Sequence, residues 1–345
     1  ARPTPRKFGT KIEDWDIRVS ALTPSSTAFL MELGAWKQIA GASRAAPYTS
    51  MHVWDRSGTG RINFSASDMG AASLGQVVEN RIVQHALLDC AEASSGIEVY
   101  WESPLKDIPV IDSHRAAVFE NGTGAKAPLI IGADGARSRI RDLAAIDTRQ
   151  WSYCQSAIVA TVSLSGGHQS ACWQAFLPTG PLALLPLADP HMAALVWSLD
   201  EAEHRVIADL PDEQFIDVLN QAIEWPAPKA DAIGPRASFP LHQCHAVNYL
   251  KDGVVLVADA AHSIHPLAGQ GINLGLADVE VLSQELGQAK AAGLGVSSLT
   301  PLKRYQRRRK TDNLAMMAAM EGFKRGFGSL HPGAILARNI GLNLA

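Results

Sequence analysis

The sequence predicts an α/β fold that is interrupted by an antiparallel β-sheet and completed by C-terminal helices. Two apolar strands, at 127–131 and 254–258, lead into small residues and then into a helix, as the strands of a parallel sheet do. Between them, short β-rich runs separated by Gly, Pro, Asp and His predict an antiparallel sheet, and they lie at 157–164, 171–177, 182–187 and 193–199.

The other elements follow from hydrophobic spacing and from turn residues. Helices are predicted at 24–40, 79–93, 212–223, from about 270, at 303–310 and from 316. Hairpins are predicted around turns at 57–60 and 121–122, and a strand is predicted at 97–101. The chain then divides into a first α/β part at 1–150 with a hairpin insert at about 45–75, a β-sheet part at 151–240, a second α/β part at 241–300 and C-terminal helices at 301–345.

Composition and charge exclude several classes of protein. Of the 345 residues, 47% are hydrophobic and 19% are charged, so the chain can bury a sizeable core and is not expected to be disordered. The net charge of −3 is not that of a typical nucleic-acid-binding protein, and no nucleic-acid partner is expected. The four cysteines form no C-x-x-C pair, which indicates reduced thiols and a cytoplasmic setting. No apolar run is long enough to predict a transmembrane helix.

The first candidate site is the turn that follows the strand at 127–131. Glycines in the segment 132–135 would let the backbone approach a ligand closely. Three guanidinium groups that could meet phosphate come next, on Arg137, Arg139 and Arg141. An ordinary strand-to-helix turn explains the same residues about equally well, so the motif alone leaves both interpretations open.

A stronger signal lies at 255–275, where an apolar strand leads into a long run of small residues and then into a helix. The strand delivers Asp259 at its carboxyl end, which is the edge where open α/β sheets bind ligands. Asp259 could accept a hydrogen bond from a sugar-like hydroxyl there. The loop at 266–271 exposes backbone N–H groups and starts a helix, whose N-terminus favours an anion. An ordinary turn explains so long a run poorly, and we therefore predict a ligand site.

The two motifs resemble the Asp-Gly and Gly-Asp signatures of the flavoprotein monooxygenases that are similar to p-hydroxybenzoate hydroxylase. Within that superfamily the chain resembles in particular the ubiquinone-biosynthesis hydroxylases of the 2-polyprenylphenol hydroxylase type. The matching segments span nearly the whole chain and lie at 18–22, 74–81, 133–138, 259–275, 305–310 and 316–323. The fold implied is an FAD-binding Rossmann-like domain, truncated at its N-terminus, with an inserted antiparallel β-sheet substrate domain and C-terminal helices.

The resemblance also implies which residues bind FAD. Asp259 would bind the ribityl chain, and the flavin ring would be lined by Pro266, Gly269, Gln270, Gly271, Ile272 and Asn273. The phosphates or the ring would lie near Arg18, Arg81 and Gln84, and both FAD and the nicotinamide donor would lie near Asp134 and Gly135. His265 and Pro266 are the expected catalytic residues, although a hydrogen-bonded loop histidine with no catalytic role explains His265 about as well.

The reaction implied by the resemblance is hydroxylation of the aromatic ring of a polyprenylated phenol or quinol. FAD would take electrons from NAD(P)H, react with O₂ to a C4a-hydroperoxide and pass one oxygen atom to the ring, which requires that water be excluded. The prenyl tail predicts an apolar tunnel with the strands at 157–199 as one wall. Contacts with proteins of a ubiquinone-biosynthesis complex, with the surface of the inner membrane and with a second copy of the chain are left open.

The chain departs from the family pattern in two places. It contains no G-x-G-x-x-G turn and no acidic residue at the end of a second strand, which in the family hold the FAD pyrophosphate and ribose. The chain as given is therefore expected to bind FAD poorly or not at all, and a non-catalytic scaffold or lipid-binding subunit is the alternative function. Ala258 also replaces the family's glycine before the motif aspartate, a difference of one methyl group.

Three further groups of residues have a functional and a purely structural interpretation. A metal cluster is a minor alternative for His242, Cys244, His245, His262 and His265, because the flavin loop already accounts for two of them. A solvated surface is favoured over contact with anionic lipid for Arg304, Arg307, Arg308 and Arg309. A core position is favoured over a membrane anchor for Met316, Met320, Phe323 and Phe327.

Overall fold

The computed structural model describes residues 8–111, 114–224, 226–264, 269 and 271–328, with side chains up to 322. The helices in this part of the chain are α1 (Pro24–Glu32), α2 (Trp36–Gly41), α3 (Asn80–Ala93), α4 (Arg139–Leu143), α5 (Glu201–Ile207), α6 (Asp212–Ile223), α7 (Gly271–Ala291) and α8 (Leu299–Gly328). None of these described helices is long and apolar enough to cross a membrane.

Two predicted helices differ from the observed ones for local reasons. The helix predicted at 24–40 is two helices, because Gly34 takes a left-handed φ of 78° between α1 and α2. The helices predicted at 303–310 and from 316 are one continuous helix, α8, since no glycine or proline interrupts 302–321. The predictions at 79–93, 212–223 and from about 270 are confirmed as α3, α6 and α7.

Strands make up about half of the remaining described chain. They are β1 (Val19–Leu22), β2 (Ala46–Tyr48), β3 (Ser50–Asp55), β4 (Arg61–Ser65), β5 (Gly75–Glu79), β6 (Leu105–Asp107), β7 (Val110–Ile111), β8 (His114–Phe119), β9 (Gly124–Ala127), β10 (Ile130–Gly132), β11 (Thr148–Leu164), β12 (Ala171–Leu177), β13 (Gly180–Pro186), β14 (Met192–Asp200), β15 (Ala230–Ile233), β16 (Ala237–Ala246), β17 (Leu250–Lys251), β18 (Val254–Leu256) and β19 (His262–Ser263). The four β-rich runs of the middle of the chain are thereby confirmed as strands.

The strands predicted to carry the two motifs form one small sheet. β10 and β18 pair in parallel, and β17 pairs with β18 on its other side. β18 is fully buried and packs with α7 and α8, which is why it reads as an uninterrupted apolar run. A hairpin with its turn at 121–122 is present as predicted, but β8 pairs with β9 at 124–127, whereas most of the predicted second strand, 127–131, is β10 and pairs with β18.

The middle of the chain forms a large sheet with the order β19-β16-β11-β14-β13-β12-β3-β4, and β15 pairs with β11 as well. The hairpin predicted at 51–64 is β3–β4, and it extends this large sheet, because β3 pairs in parallel with β12. The boundaries drawn at 150, 240 and 300 from the sequence stay predictions.

The two faces of the large sheet have different partners. One face is covered by α6, whose Phe215 ring meets the Trp197 ring edge-on at 5.9 Å between centroids. The small sheet of β1, β5 and β2 packs against the other face, where Ala21 and Val77 meet Leu185. The β1–α1 connection and the ligand motifs therefore lie on the side of the second face.

One predicted strand is wrong. The segment 97–101 is neither helix nor strand, and half or more of the Ile97 and Tyr100 side chains is exposed. A strand needs a neighbour to satisfy its backbone groups, and within the described part of the chain no strand pairs with this segment. Apolar and β-branched composition alone could not reveal that.

Candidate functional site

The two sequence motifs meet at one edge of the small sheet. Because β10 and β18 are parallel neighbours, their carboxyl ends lie side by side. The contact continues beyond the strands, where the Val257 N–H donates to the Gly132 carbonyl at 3.0 Å. The structure thus brings the segments 132–135 and 257–260 together, although more than a hundred residues separate them in the chain.

Asp259 lies in the short 3-10 turn Ala258–Ala260 at this edge, with its side chain exposed. Its carboxylate has no hydrogen-bond or ion-pair partner among the residues that the structure describes. Packing around the carboxylate partly removes its solvent and raises its pKa, while electrostatic interaction with His262 and Arg18 opposes the shift. Among the described residues, Asp259 is therefore an acceptor without a partner, partly desolvated, at the ligand-binding edge of the sheet.

Ala258, which precedes this aspartate, adopts a left-handed backbone conformation with a φ of 53°. Such a φ is unfavourable for alanine because its Cβ crowds the backbone, and glycine avoids that strain. The turn also lies against α7, where a Cβ added to Gly275 would be only 2.8 Å from the Ala258 Cβ. The one-methyl difference from the family's glycine therefore falls at a strained position.

We expect Ala258→Gly to raise the free energy of unfolding by about 1 kcal/mol, because glycine removes the strain of the left-handed φ. Urea unfolding of the two proteins at neutral pH measures the difference. Ala260→Gly, which lies two residues further in a buried position, should instead destabilise the chain. An unchanged or lower stability of Ala258→Gly would contradict a strained turn.

The start of α7 is tied to the connection between β1 and α1 through Asn273. The Asn273 amide donates to the Ala21 carbonyl at 2.8 Å, and its oxygen accepts from the Thr23 N–H at 3.1 Å and the Ser26 hydroxyl at 2.8 Å. These bonds fix the position of the helix N-terminus. A role of Asn273 as a direct contact of a cofactor stays a prediction.

The neighbouring predicted residues occupy different surroundings. Gly269 has a left-handed φ of 63°, and a Cβ there would lie 3.4 Å from the Ala21 nitrogen, so Gly269 itself lies close to β1. Gly271 is the first residue of α7, and Ile272 packs against the core formed with α1 and α3. Predicted residues His265, Pro266 and Gln270 lie outside the described residues.

The two predicted arginines lie just before β1 (Arg18) and at the start of α3 (Arg81). Arg18 is exposed, and its charge acts on Asp259. Arg81 donates to the Glu79 carboxylate at 2.7 Å, and the same carboxylate binds Arg44. Gln84, one turn further along α3, is exposed. The structure thus holds Arg81 in an internal ion-pair cluster and leaves Arg18 accessible beside the Asp259 turn.

The first motif is largely occupied by local bonds. Asp134 accepts from the Ser138 hydroxyl at 2.5 Å and from the Ile140 N–H at 3.0 Å, and Gly135 has a left-handed φ of 82°. Arg141 is buried and donates to the Ala260 carbonyl at 3.1 Å, which fastens the Asp259 turn to α4. The suggestion that Arg141 meets phosphate is therefore wrong, because its guanidinium bonds main-chain carbonyls inside the protein.

A buried polar network lies directly behind the Asp259 turn. Asp278 of α7 is fully buried, and it accepts from the Ala258 N–H, from His262 and from Arg309 at 2.9, 2.6 and 2.7 Å. These bonds hold the pKa of Asp278 below its usual range even though burial alone would raise it. Asn313 of α8 joins the network from the other side.

The network continues to Tyr249 and His245. Asn313 donates to the Tyr249 hydroxyl at 3.2 Å, and His245 lies 3.1 Å from the same oxygen. Burial lowers the pKa of His245 to about 4, and the charges of Lys310, His262 and Arg149 act in the same direction. His245 is therefore a neutral, buried histidine at physiological pH.

This lowered pKa makes stability depend on pH. In the unfolded chain His245 takes a proton below pH 6.5, whereas in the folded chain it does so only below about 4. Its contribution to the free energy of unfolding is thus fully present above about pH 6.5 and is lost as the pH falls toward 4. We expect the wild type to lose roughly 2–3 kcal/mol more than His245→Gln between pH 7 and 4.5.

Urea unfolding at a series of pH values checks this difference. His242→Gln is a matched control, because His242 lies on the same strand, β16, with an exposed side chain. It should leave the pH dependence as in the wild type. Parallel curves for wild type and His245→Gln would show that His245 is not held neutral.

Comparison with known proteins decides the family. Residues 13–319 match the family described as FAD binding domain. The chain is 36% identical over 332 residues to the 3-demethoxyubiquinol 3-hydroxylase of Escherichia coli (strain K12), which covers 96% of this chain and 83% of that protein. The chain belongs to the FAD-dependent monooxygenases. The resemblance inferred from the motifs is thereby confirmed.

Other relatives of this monooxygenase agree. The human protein named ubiquinone biosynthesis monooxygenase COQ6, mitochondrial, is 32% identical over 385 residues, which covers 98% of this chain and 81% of that protein. The crystal structure of p-nitrophenol 4-monooxygenase PnpA from Pseudomonas putida DLL-E4 superposes with a TM-score of 0.76 at 17% identity, covering 96% and 84% of the two chains. The structure of Klebsiella pneumoniae HpxO complexed with FAD and uric acid gives 0.70 at 14%, covering 95% and 84%. These structures establish the fold.

The basic helix of the monooxygenase is less exposed than the sequence suggested. Arg304 and Arg308 both bind Glu285 of α7, at 2.7 and 3.1 Å, and Arg309 is buried against Asp278. Arg307 alone of the four predicted arginines is exposed without a carboxylate partner in the described chain. The expectation of a solvated basic face is therefore wrong for Arg309, whereas Arg307 and Arg308 are exposed, and Arg304 and Arg308 also connect α8 to α7 through Glu285.

Two other expectations concern the apolar stripe in the C-terminal part of α8 and a metal site. Met320 packs against Val53 and Phe176 of the large sheet, and Met316 is half-buried, so the described part of the apolar stripe faces the core. Phe323 and Phe327 have side chains outside the described residues. Within the described chain, no group of three or more His, Cys, Asp or Glu residues could hold a metal ion.

Proposed function

We propose that the monooxygenase hydroxylates the aromatic ring of a polyprenylated phenol or quinol in ubiquinone biosynthesis, with FAD as cofactor and NAD(P)H and O₂ as co-substrates. The observation that carries the proposal is its 36% identity, over 96% of the chain, to a protein named 3-demethoxyubiquinol 3-hydroxylase. A second relative in the same pathway, at 32% identity over 98% of the chain, supports it.

The residues at the sheet edge fit the ribityl and ring half of FAD. Asp259 offers an unpartnered carboxylate to a ribityl hydroxyl. The N-terminus of α7, held by Asn273, suits the negative charge of a reduced flavin ring. Gly269 would let the loop backbone lie against the ring, and the exposed Arg18 offers a positive charge beside Asp259. We assign the cofactor contacts Pro266, Gln270, Gly271 and Ile272, and the catalytic residues His265 and Pro266, on the family resemblance.

The chain's own contribution to the reaction is binding, orientation and exclusion of water. Bound FAD, once reduced, supplies the activated oxygen that an electron-rich ring accepts. The substrate ring would lie between the flavin loop and the face of the large sheet that α6 does not cover, beyond the part around Leu185 on which the small sheet of β1, β5 and β2 packs. An apolar wall of this kind suits a prenyl tail and keeps water from the reacting atoms.

The nicotinamide donor and any contact with a membrane surface follow from the same substrate class. Asp134 and Gly135 lie at the shared sheet edge with Asp259, where NAD(P)H would need to reach the flavin. A polyprenylated substrate dissolves in a bilayer, so we propose peripheral contact with the inner membrane. Partner proteins of the pathway and a second copy of the chain are further proposals of the same kind.

The test is substrate-stimulated oxidation of NADH and of NADPH by the purified chain supplied with FAD. A panel of prenylated phenols and quinols should raise the rate of oxidation, and a matched panel without the prenyl tail should raise it less. Hydrogen peroxide is measured in parallel, because oxidation without hydroxylation releases it. Failure to bind FAD combined with tight binding of the prenylated quinol would favour the scaffold or lipid-binding alternative.

A further inference from the structure

We propose that Asp278 is the positioning residue of the flavin site, because one buried carboxylate clamps the turn that presents Asp259 and ties that turn to the C-terminal helix. The inference deepens the proposed function and rests on it for the role of Asp259. Sequence motifs give no indication of it, since Asp278 lies in the middle of the apolar face of α7, between Leu274 and Leu282.

One oxygen of Asp278 holds both ends of the Asp259 turn. Oδ2 accepts from the Ala258 N–H at 2.9 Å and from the His262 ring nitrogen at 2.6 Å. These two donors flank Asp259, one on its N-terminal side and one three residues beyond it. Ala258 has a left-handed φ of 53°, which an alanine keeps only when its surroundings enforce it, and the bond to Asp278 is the restraint on its N–H.

The other oxygen of Asp278 binds the C-terminal helix. Oδ1 accepts from the Arg309 Nε at 2.7 Å and from the Asn313 amide at 3.2 Å. Arg309 and Asn313 lie one turn apart on α8 and bond each other at 2.9 Å. A displacement of α8 against α7 would therefore act on the same carboxylate that fixes the Asp259 turn.

Water cannot substitute for these bonds. Asp278 and Asn313 are fully buried, Arg309 is 5% exposed, and His262 is 2% exposed. In so dry a place a lost partner leaves an unsatisfied donor, which makes the network close to all-or-none. We infer that α8 docking and the geometry of Asp259 are coupled through Asp278.

The decisive variant is Asp278→Asn, which keeps the shape and removes two acceptor positions. If its side-chain oxygen faces Ala258 and His262, its NH₂ group faces the donors of Arg309 and Asn313 and cannot accept from them. In the reverse orientation the NH₂ group faces the donors of Ala258 and His262 instead. Glu285→Gln is the matched control. Glu285 is a second buried carboxylate of α7 that binds two arginines of α8, and it touches no residue of the 258–262 turn.

The first readout needs no cofactor. Hydrogen–deuterium exchange of the chain without FAD, followed in peptides that contain the 258–262 turn, should be at least tenfold faster in Asp278→Asn and unchanged in Glu285→Gln. The second readout is the dissociation constant for FAD, which should rise at least tenfold in Asp278→Asn and less than twofold in Glu285→Gln. Asn313→Ser, a milder loss from the same network, should shift both readouts in the same direction and serves if Asp278→Asn does not fold.

Equal exchange of the turn in the Asp278 and Glu285 variants would overturn the clamp. Faster exchange with an unchanged dissociation constant would overturn its role in positioning Asp259 for FAD. If the wild-type chain itself does not bind FAD, the proposed function fails, while the exchange comparison still decides whether Asp278 holds the turn.

Discussion

Asp259→Ala should weaken FAD binding by about 10- to 100-fold relative to the wild-type chain, whose affinity is itself expected to be low because it contains no G-x-G-x-x-G turn, while leaving the fold unchanged. A hydrogen bond to a charged acceptor contributes about 1.5–3 kcal/mol, and about 1.4 kcal/mol corresponds to a factor of ten. The folded chain itself makes no use of this carboxylate, because it is exposed and has no partner in the described residues. Its raised pKa indicates that the folded state disfavours the charged form, so its removal should not lower stability.

Flavin fluorescence titration and urea unfolding measure the two effects separately. Asp252→Asn is a suitable control, because Asp252 is an exposed aspartate that lies before the N-terminal end of β18, whereas the ligand edge lies at the C-terminal end. It should leave FAD binding as in the wild type. Equal loss of FAD affinity in both variants, or a loss of affinity that merely follows a loss of stability, would remove Asp259 from the cofactor site.

Arg309→Met should lower the free energy of unfolding by about 3–5 kcal/mol. The variant removes the arginine from the fully buried Asp278 and leaves the His262 ring as its remaining partner of that kind in the described chain, and a buried charge that loses its ion pair is costly. The variant also removes the hydrogen bond from Arg309 to Asn313, so the Asn313 side-chain oxygen loses this donor. In a chain of 345 residues the expected drop in melting temperature is roughly 4–7 °C, because the entropy of unfolding grows with chain length.

Arg307→Met provides the comparison, because Arg307 lies two residues away on the same helix with an exposed side chain. Its effect on the free energy of unfolding should be within about 0.5 kcal/mol. Thermal unfolding followed by circular dichroism compares the three proteins directly. If Arg309→Met melts together with Arg307→Met, the pair of Asp278 and Arg309 does not stabilise α8 against α7.

Local signals explain what the sequence could predict. β18 is an apolar run because it is buried on both faces, and the small residues after it follow from the close approach of the turn to α7. Asn121-Gly122 makes a hairpin turn through the backbone preference of its glycine, whereas the same preference at Gly34 interrupts a helix that was predicted to continue to residue 40. Each of these features depends on residues that are close in the chain.

Features that depend on distant residues were not predictable in the same way. The parallel pairing of β3 with β12 joins segments more than a hundred residues apart, and the sequence of neither strand indicates which strand it pairs with. The segment 97–101 has the composition of a strand but no neighbouring strand in the described chain, so the strand predicted there from composition is wrong.

The buried network is a partial exception. Asp278 interrupts the apolar stripe of α7, and Arg309 and Asn313 are spaced by four residues on α8. A charged residue on an apolar helix face predicts a buried partner, because an unpaired charge is rarely tolerated there. The sequence did not indicate which residue that partner is, and Arg309 was therefore assigned to a solvated surface.

The central claim is that this chain, with FAD bound at the Asp259 edge, transfers one atom of O₂ to a prenylated aromatic ring. The most direct test is turnover of a prenylated phenol or quinol under ¹⁸O₂ with FAD and NAD(P)H, followed by mass spectrometry of the product. We expect a product that carries one atom of ¹⁸O, formed by the wild type and formed in much smaller amount by Asp259→Ala. Unchanged substrate with NAD(P)H consumed only to hydrogen peroxide, or a product whose oxygen comes from water, would contradict it.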